Sequence, residues 1–129
     1  MVHVMKVKNN KMSLGKLGEN SAREYLIKKD YKIIKTNFRV GRLGEIDIIA
    51  TCGEYLCFIE VKTRSSTVFG LPCEAVNYRK QNTIRKIASI YISHLNQETQ
   101  ARFDIVEIIG YQKGNELEIS SINLLQNAF

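Results

Sequence analysis

The run Leu56-Cys-Phe-Ile59 constrains the fold most. Apolar residues fill both faces of this short segment, so a strand built from it needs cover on both sides. That strand is expected over Tyr55–Thr63, after two further β signals at Tyr31–Val40 and Glu45–Ala50. Gly41–Gly44 and Thr51–Glu54 supply the turns, which makes the three strands an antiparallel meander. Downstream, Ile84, Ile87, Ala88, Tyr91, Ile92 and Leu95 recur at helical spacing and place a long helix from about Cys73 to Asn96. A strand at Arg102–Ile109 and a weaker one at Glu116–Leu124 follow. Strand, helix, strand implies a right-handed crossover with Arg102–Ile109 parallel to Tyr55–Thr63.

Upstream, Ser13 is an N-cap candidate for a helix running to about Lys29. Leu14, Leu17, Ala22, Tyr25 and Leu26 fall on one side of it, and Glu19 projects at the margin of that stripe. The predicted order is α-β-β-β-α-β plus a terminal strand, an α/β fold with a mixed sheet flanked by helices. Residues 1–12 are basic, lack apolar periodicity and read as a flexible arm; residues 13–129 suit one domain.

Nineteen Lys and Arg against thirteen Asp and Glu give a net charge of +6. The excess is uneven, +8 over residues 1–42 and −2 over residues 43–129. A basic first third on a near-neutral body favours a polyanionic partner, and a solvated lysine surface is the plain alternative. No apolar run approaches the ~18 residues of a membrane span. The start lacks the apolar stretch of a signal peptide. Three cysteines without metal-ligand spacing fit buried thiols in a reducing compartment, so the expected location is the cytoplasm.

The chemistry is concentrated in Gly44-Glu-Ile-Asp47 and Phe58-Ile-Glu-Val-Lys-Thr-Arg64. A turn centred between Cys52 and Gly53 sets Glu45 opposite Glu60 and Asp47 opposite Phe58. Alternation then projects Glu45, Asp47, Glu60 and Lys62 from one sheet face, with Asp47 and Glu60 as diagonal neighbours roughly 7–8 Å apart. Polar residues on one face of a strand pair are usually only a solvent face. Two facts oppose that here. Like charges across a ladder are destabilising, and a carboxylate on a central strand is costly unless paired or bound to a cation. Asp47 and Glu60 are therefore the expected ligands of a hard cation, Mg²⁺ with Mn²⁺ as substitute, and Glu45 supports them. Such a set suits metal-assisted phosphodiester hydrolysis. Lys62, on the same face as Glu60, would hold the attacking water or stabilise the transition state. Burial and neighbouring carboxylates pull its pKa in opposite directions.

Gly15-Lys-Leu-Gly-Glu19, Gly44-Glu-Ile-Asp47, Glu60-Val-Lys-Thr-Arg64 and Phe69-Gly-Leu-Pro-Cys-Glu-Ala-Val76 together resemble the YraN-like family. That family is similar in turn to the PD-(D/E)XK nucleases and, within them, to archaeal Holliday-junction resolvases. The resemblance runs from about Ser13 to Ile109. It implies a PD-(D/E)XK restriction-endonuclease-like core, with Glu19 as the helix-borne acid, Asp47 as the first-strand metal ligand, and Glu60 and Lys62 as the E-x-K pair. Ile46 stands where many such nucleases carry proline.

Arg39 and Arg42 flank the turn before Glu45 and are candidate phosphate contacts. Arg64 is expected to lead into a substrate-facing loop, and Lys80 and Gln81 to lie in the first turns of the long helix. These five residues are the candidate nucleic-acid contacts; ordinary helix surface is the simpler account of the last two. The expected activity is metal-dependent endonucleolytic cleavage of DNA, branched DNA included, by a homodimer on the analogy of resolvases. The competing expectation is a non-catalytic nucleic-acid-binding or adaptor protein with a relic of the site, which would bind DNA salt-sensitively and hold no metal.

Overall fold

The computed structural model describes residues 11–65 and 76–129. The elements are α1 (Leu14–Lys28), β1 (Lys32–Val40), β2 (Gly44–Cys52), β3 (Tyr55–Arg64), α2 (Tyr78–Ser93), β4 (Gln100–Lys113) and β5 (Glu116–Leu125). They form one five-stranded sheet in the order β1-β2-β3-β4-β5. Only β3 and β4 pair in parallel, through the α2 crossover, and all other pairs are antiparallel. The α/β order of helices and strands is the one the sequence predicts.

Each face of the sheet is covered by one helix, which is why Cys57 and Ile59 are as buried as Leu56 and Phe58. On one face Ala22 and Leu26 of α1 pack with Ile48, Cys57, Ile59 and Val106. On the other, Ile84, Ile87 and Ala88 of α2 pack with Ile46, Phe58 and Ile105. Helix α1 comes very close to β3 at Gly18, where a Cβ would collide with the Thr63 hydroxyl. Only glycine permits that approach.

Three expectations are corrected. The β2–β3 turn is Gly53-Glu54, with Gly53 at φ +59 in the first turn position, and Thr51 and Cys52 belong to β2. The register moves accordingly to Cys52↔Tyr55 and Ile48↔Ile59. Helix α2 begins at Tyr78, because the Asn77 side chain accepts from the Lys80 N–H at 2.9 Å and caps it. Its expected start near Cys73 lies outside the described residues. The expected arm also falls largely outside them, and Met12 is fastened to the β4–β5 hairpin by Asn115 and Gln112.

Candidate metal centre

The pairing of β2 with β3 ends at Ile48↔Ile59. One residue further along, Asp47 and Glu60 would be opposed, and there the strands part. Asp47 Oδ2 accepts the Val61 N–H at 2.8 Å, taking the place of a ladder carbonyl. Alternation also breaks at this point, since Ile46 packs in the α2-side cluster and Ile48 in the α1-side cluster. The four polar groups therefore do not share one sheet face, as strict alternation predicts. They meet at a gap, Glu60 reaching from the α2 side and Glu19 from α1.

On the α1 side, Glu19, Glu45 and Asp47 each offer a carboxylate oxygen, and these atoms all lie within 4.8 Å of one another. Asn37 holds two of them: its Nδ2 donates to Glu19 Oε2 at 3.0 Å and to Glu45 Oε1 at 2.9 Å. Its Oδ1 accepts from Lys16 Nζ at 3.3 Å. Asn37 lies in β1 at φ +52, a left-handed conformation that Asn tolerates better than most residues. Sequence reasoning missed Asn37 altogether. Its only signal was a turn-favouring residue inside an otherwise clear strand.

On the α2 side, Glu60 is 4% exposed, and its Oε1 lies 3.0 Å from Lys80 Nζ. Its Oε2 is buried without a hydrogen-bond partner among the described residues. Burial, and then the apposed Glu60 carboxylate, push the Asp47 pKa up to about 7. Burial also raises Glu19, against the Asn37 hydrogen bond and with the nearby Asp47. Lys62 is lowered, by burial first and by Lys80 next, which settles the sign that sequence left open. For Lys80 burial acts downward, but Glu60 and Asp47 outweigh it and its pKa is raised.

Apposed, partly dehydrated carboxylates with a bare buried oxygen are a cation-binding donor set. The residues fit a hard divalent cation, and Asp47 belongs to both halves of the set.

The expected nucleic-acid contacts divide. Arg39 is two-thirds exposed, 3.6 Å from Glu45, and Arg42 is exposed in the β1–β2 turn. Arg64 is the last residue of β3, the segment expected to follow it lies largely outside the described residues, and its Nη2 lies 2.6 Å from Oε2 of buried Glu107. A dehydrated carboxylate requires that cation, so Arg64 is turned inward. Gln81 is likewise engaged at home, donating to the Val76 carbonyl at 2.9 Å. Lys80 meets Glu60 within the site and is not plain helix surface.

The model of uncharacterised protein family UPF0102 matches residues 18–108. A UPF0102 protein of Acetivibrio thermocellus is 48% identical over 124 residues, covering 95% of each chain. One from Caldicellulosiruptor bescii is 49% identical over 122 residues, covering 93% of this chain and 99% of the relative. Among solved structures, Pyrococcus furiosus SfsA in complex with Ca²⁺ is similar with a TM-score of 0.32 and 13% identity, covering 81% of this chain. This chain spans 62% of the SfsA chain, and a likeness that distant does not bear on the site.

Proposed function

We propose that this chain, which belongs to the uncharacterised protein family UPF0102, the YraN-like proteins, is a divalent-metal-dependent endonuclease acting on DNA. The observation that carries the reading is the split end of the β2–β3 ladder. Asp47 and Glu60 are apposed there, with one buried Glu60 oxygen bare and Lys62 two residues on along β3.

Asp47 and Glu60 would hold Mg²⁺ or Mn²⁺, with Glu19 and Glu45 closing the α1 side. When bound, such an ion lowers the pKa of a coordinated water and neutralises charge building on the phosphate. The protein's own groups do the rest. Asp47 and Glu60 position the cation, and Asn37 keeps Glu19 and Glu45 turned toward it. Lys62, with its pKa lowered, orients the attacking water or stabilises charge on the scissile phosphate. Exposed Arg39 and Arg42 take flanking phosphates and fix the register of the strand on the protein. Branched, four-way DNA is the proposed substrate and a symmetric pair of chains the proposed assembly. The free thiols of Cys52 and Cys57 suit the cytoplasm. No helix among the described residues is long and apolar enough to cross a membrane.

The test is cleavage of labelled four-way-junction and linear duplex DNA in Mg²⁺ or Mn²⁺, by wild type, D47A, E60A and K62A. The reading expects metal-dependent cleavage by wild type and its loss in each variant, with circular dichroism unchanged. Cleavage that survives all three substitutions, or that needs no metal, refutes it.

A further inference from the structure

Lys80 lies in the first turn of α2 with its Nζ 3.0 Å from Glu60 Oε1; its side chain is 40% exposed and that of Glu60 4%. The second Glu60 oxygen has no hydrogen-bond partner among the described residues. Glu60 is thus half-compensated. One oxygen faces an ammonium, and the other awaits a donor or a cation. The ammonium sits on a flexible four-carbon stem whose head can move into water without unfolding anything. Arg64, by contrast, is 18% exposed and fixed on Glu107 at 2.6 Å. Lys62 rises from β3 itself, two residues after Glu60, and no ion pair among the described residues ties it to Glu60 as Lys80 is tied.

A divalent cation on Glu60 would crowd three positive groups around one carboxylate. The group whose side chain is 40% exposed and hangs on a flexible stem outside the sheet is the one that leaves. We propose that Lys80 is the resident counter-ion of Glu60, displaced when a divalent cation binds, and that its released ammonium then takes a substrate phosphate. The inference rests on the metal-dependent reading above and deepens it: loading the site with metal also switches on a phosphate contact.

Mn²⁺ titration calorimetry and thermal melting in chelator, on wild type, K80M and K80R, test the displacement. K80M leaves Glu60 uncompensated, so it should melt lower in chelator and yet bind Mn²⁺ about tenfold more tightly, because nothing has to be displaced. K80R keeps the charge and should resemble wild type in both. Mn²⁺ affinity in K80M that is unchanged or weaker overturns the proposal. The release is read from the salt dependence of junction-DNA binding by K62M and K62M/K80M, cleavage being suppressed in both. The slope should fall by about one on losing Lys80 in Mn²⁺ and stay the same in chelator. An equal effect with and without metal overturns the release. Wild type that binds no Mn²⁺ at all removes the metal-dependent reading as well, which separates the two failures.

Discussion

Asp47→Asn should stabilise the metal-free protein at alkaline pH, although it destroys a proposed ligand. The ordinary aspartate value is 3.8, and in the folded chain burial and the facing Glu60 push it up to about 7. An acid whose pKa rises on folding costs stability once pH passes its unfolded value, and the cost is complete above its folded value. Here the window runs from about pH 4 to about pH 7. At ~1.36 kcal/mol for each tenfold change in proton affinity, the gap amounts to about 4 kcal/mol. The amide in D47N still accepts the Val61 N–H, but it is itself a buried polar group facing a carboxylate. About half of the gain, ~2 kcal/mol, should survive. Urea unfolding in chelator at pH 8 and at pH 4.5 measures this. D47N should be the more stable at pH 8, and the advantage should largely vanish at pH 4.5, where the wild-type carboxyl is mostly protonated. In Mg²⁺ at pH 8 the order should narrow or reverse, since only wild type gains from the ion. A D47N variant less stable than wild type in chelator at pH 8, or an advantage independent of pH, would refute the electrostatic account.

Other substitutions test the supporting structure. Asn37→Gly suits the left-handed backbone at that position and should fold, but without the amide that bridges Glu19 and Glu45 it should weaken Mn²⁺ binding by calorimetry. Gly18→Ala should cost about 1–3 kcal/mol in urea, because its Cβ meets the Thr63 hydroxyl, and Thr63→Ala in the same chain should recover part of it. Arg102→Met strips the cation from fully buried Asp104, which Arg102 Nε approaches at 2.9 Å, and should cost about 3 kcal/mol or more at neutral pH. The Tyr31 hydroxyl and the Asn127 N–H still donate to Asp104, so the fold should persist in mild denaturant.

Periodicity made the architecture legible. The Leu56–Ile59 run demanded cover on both faces, and α1 and α2 provide it. The stripe from Ile84 to Ala88 specified which side of α2 faces the sheet. The acids and Lys62 could be named because charge on a covered central strand needs a reason. What sequence could not settle was register. With Thr51 and Cys52 in β2 and not in the turn, every pairing moves by two residues along the partner strand. The roles of Asn37 and Lys80 were hidden for a related reason. One depends on a left-handed residue inside a strand, the other on a helix cap at Asn77 that fixes where Lys80 points. The Arg64 ion pair was hidden because its partner, Glu107, comes from a strand forty-three residues later in the chain, which no local pattern reveals.

The corrected register strengthens the case for chemistry more than the expected one would have. Diagonal carboxylates, roughly 7–8 Å apart, could avoid one another at little cost. At the observed split they are apposed, one of them is nearly inaccessible, and the β2–β3 ladder stops short of closing over them. The Asp47 carboxylate satisfies the Val61 N–H that the parting strands would otherwise strand, so the gap is held open without an orphan donor. A surface selected only for solubility gains nothing from burying Glu60 or from raising the proton affinity of Asp47. A cation removes both penalties together, and Lys80 meets only half of the first. The arrangement is therefore under electrostatic tension that a divalent ion would relieve, and the pH dependence of the D47N stability gain is the most direct measure of that tension.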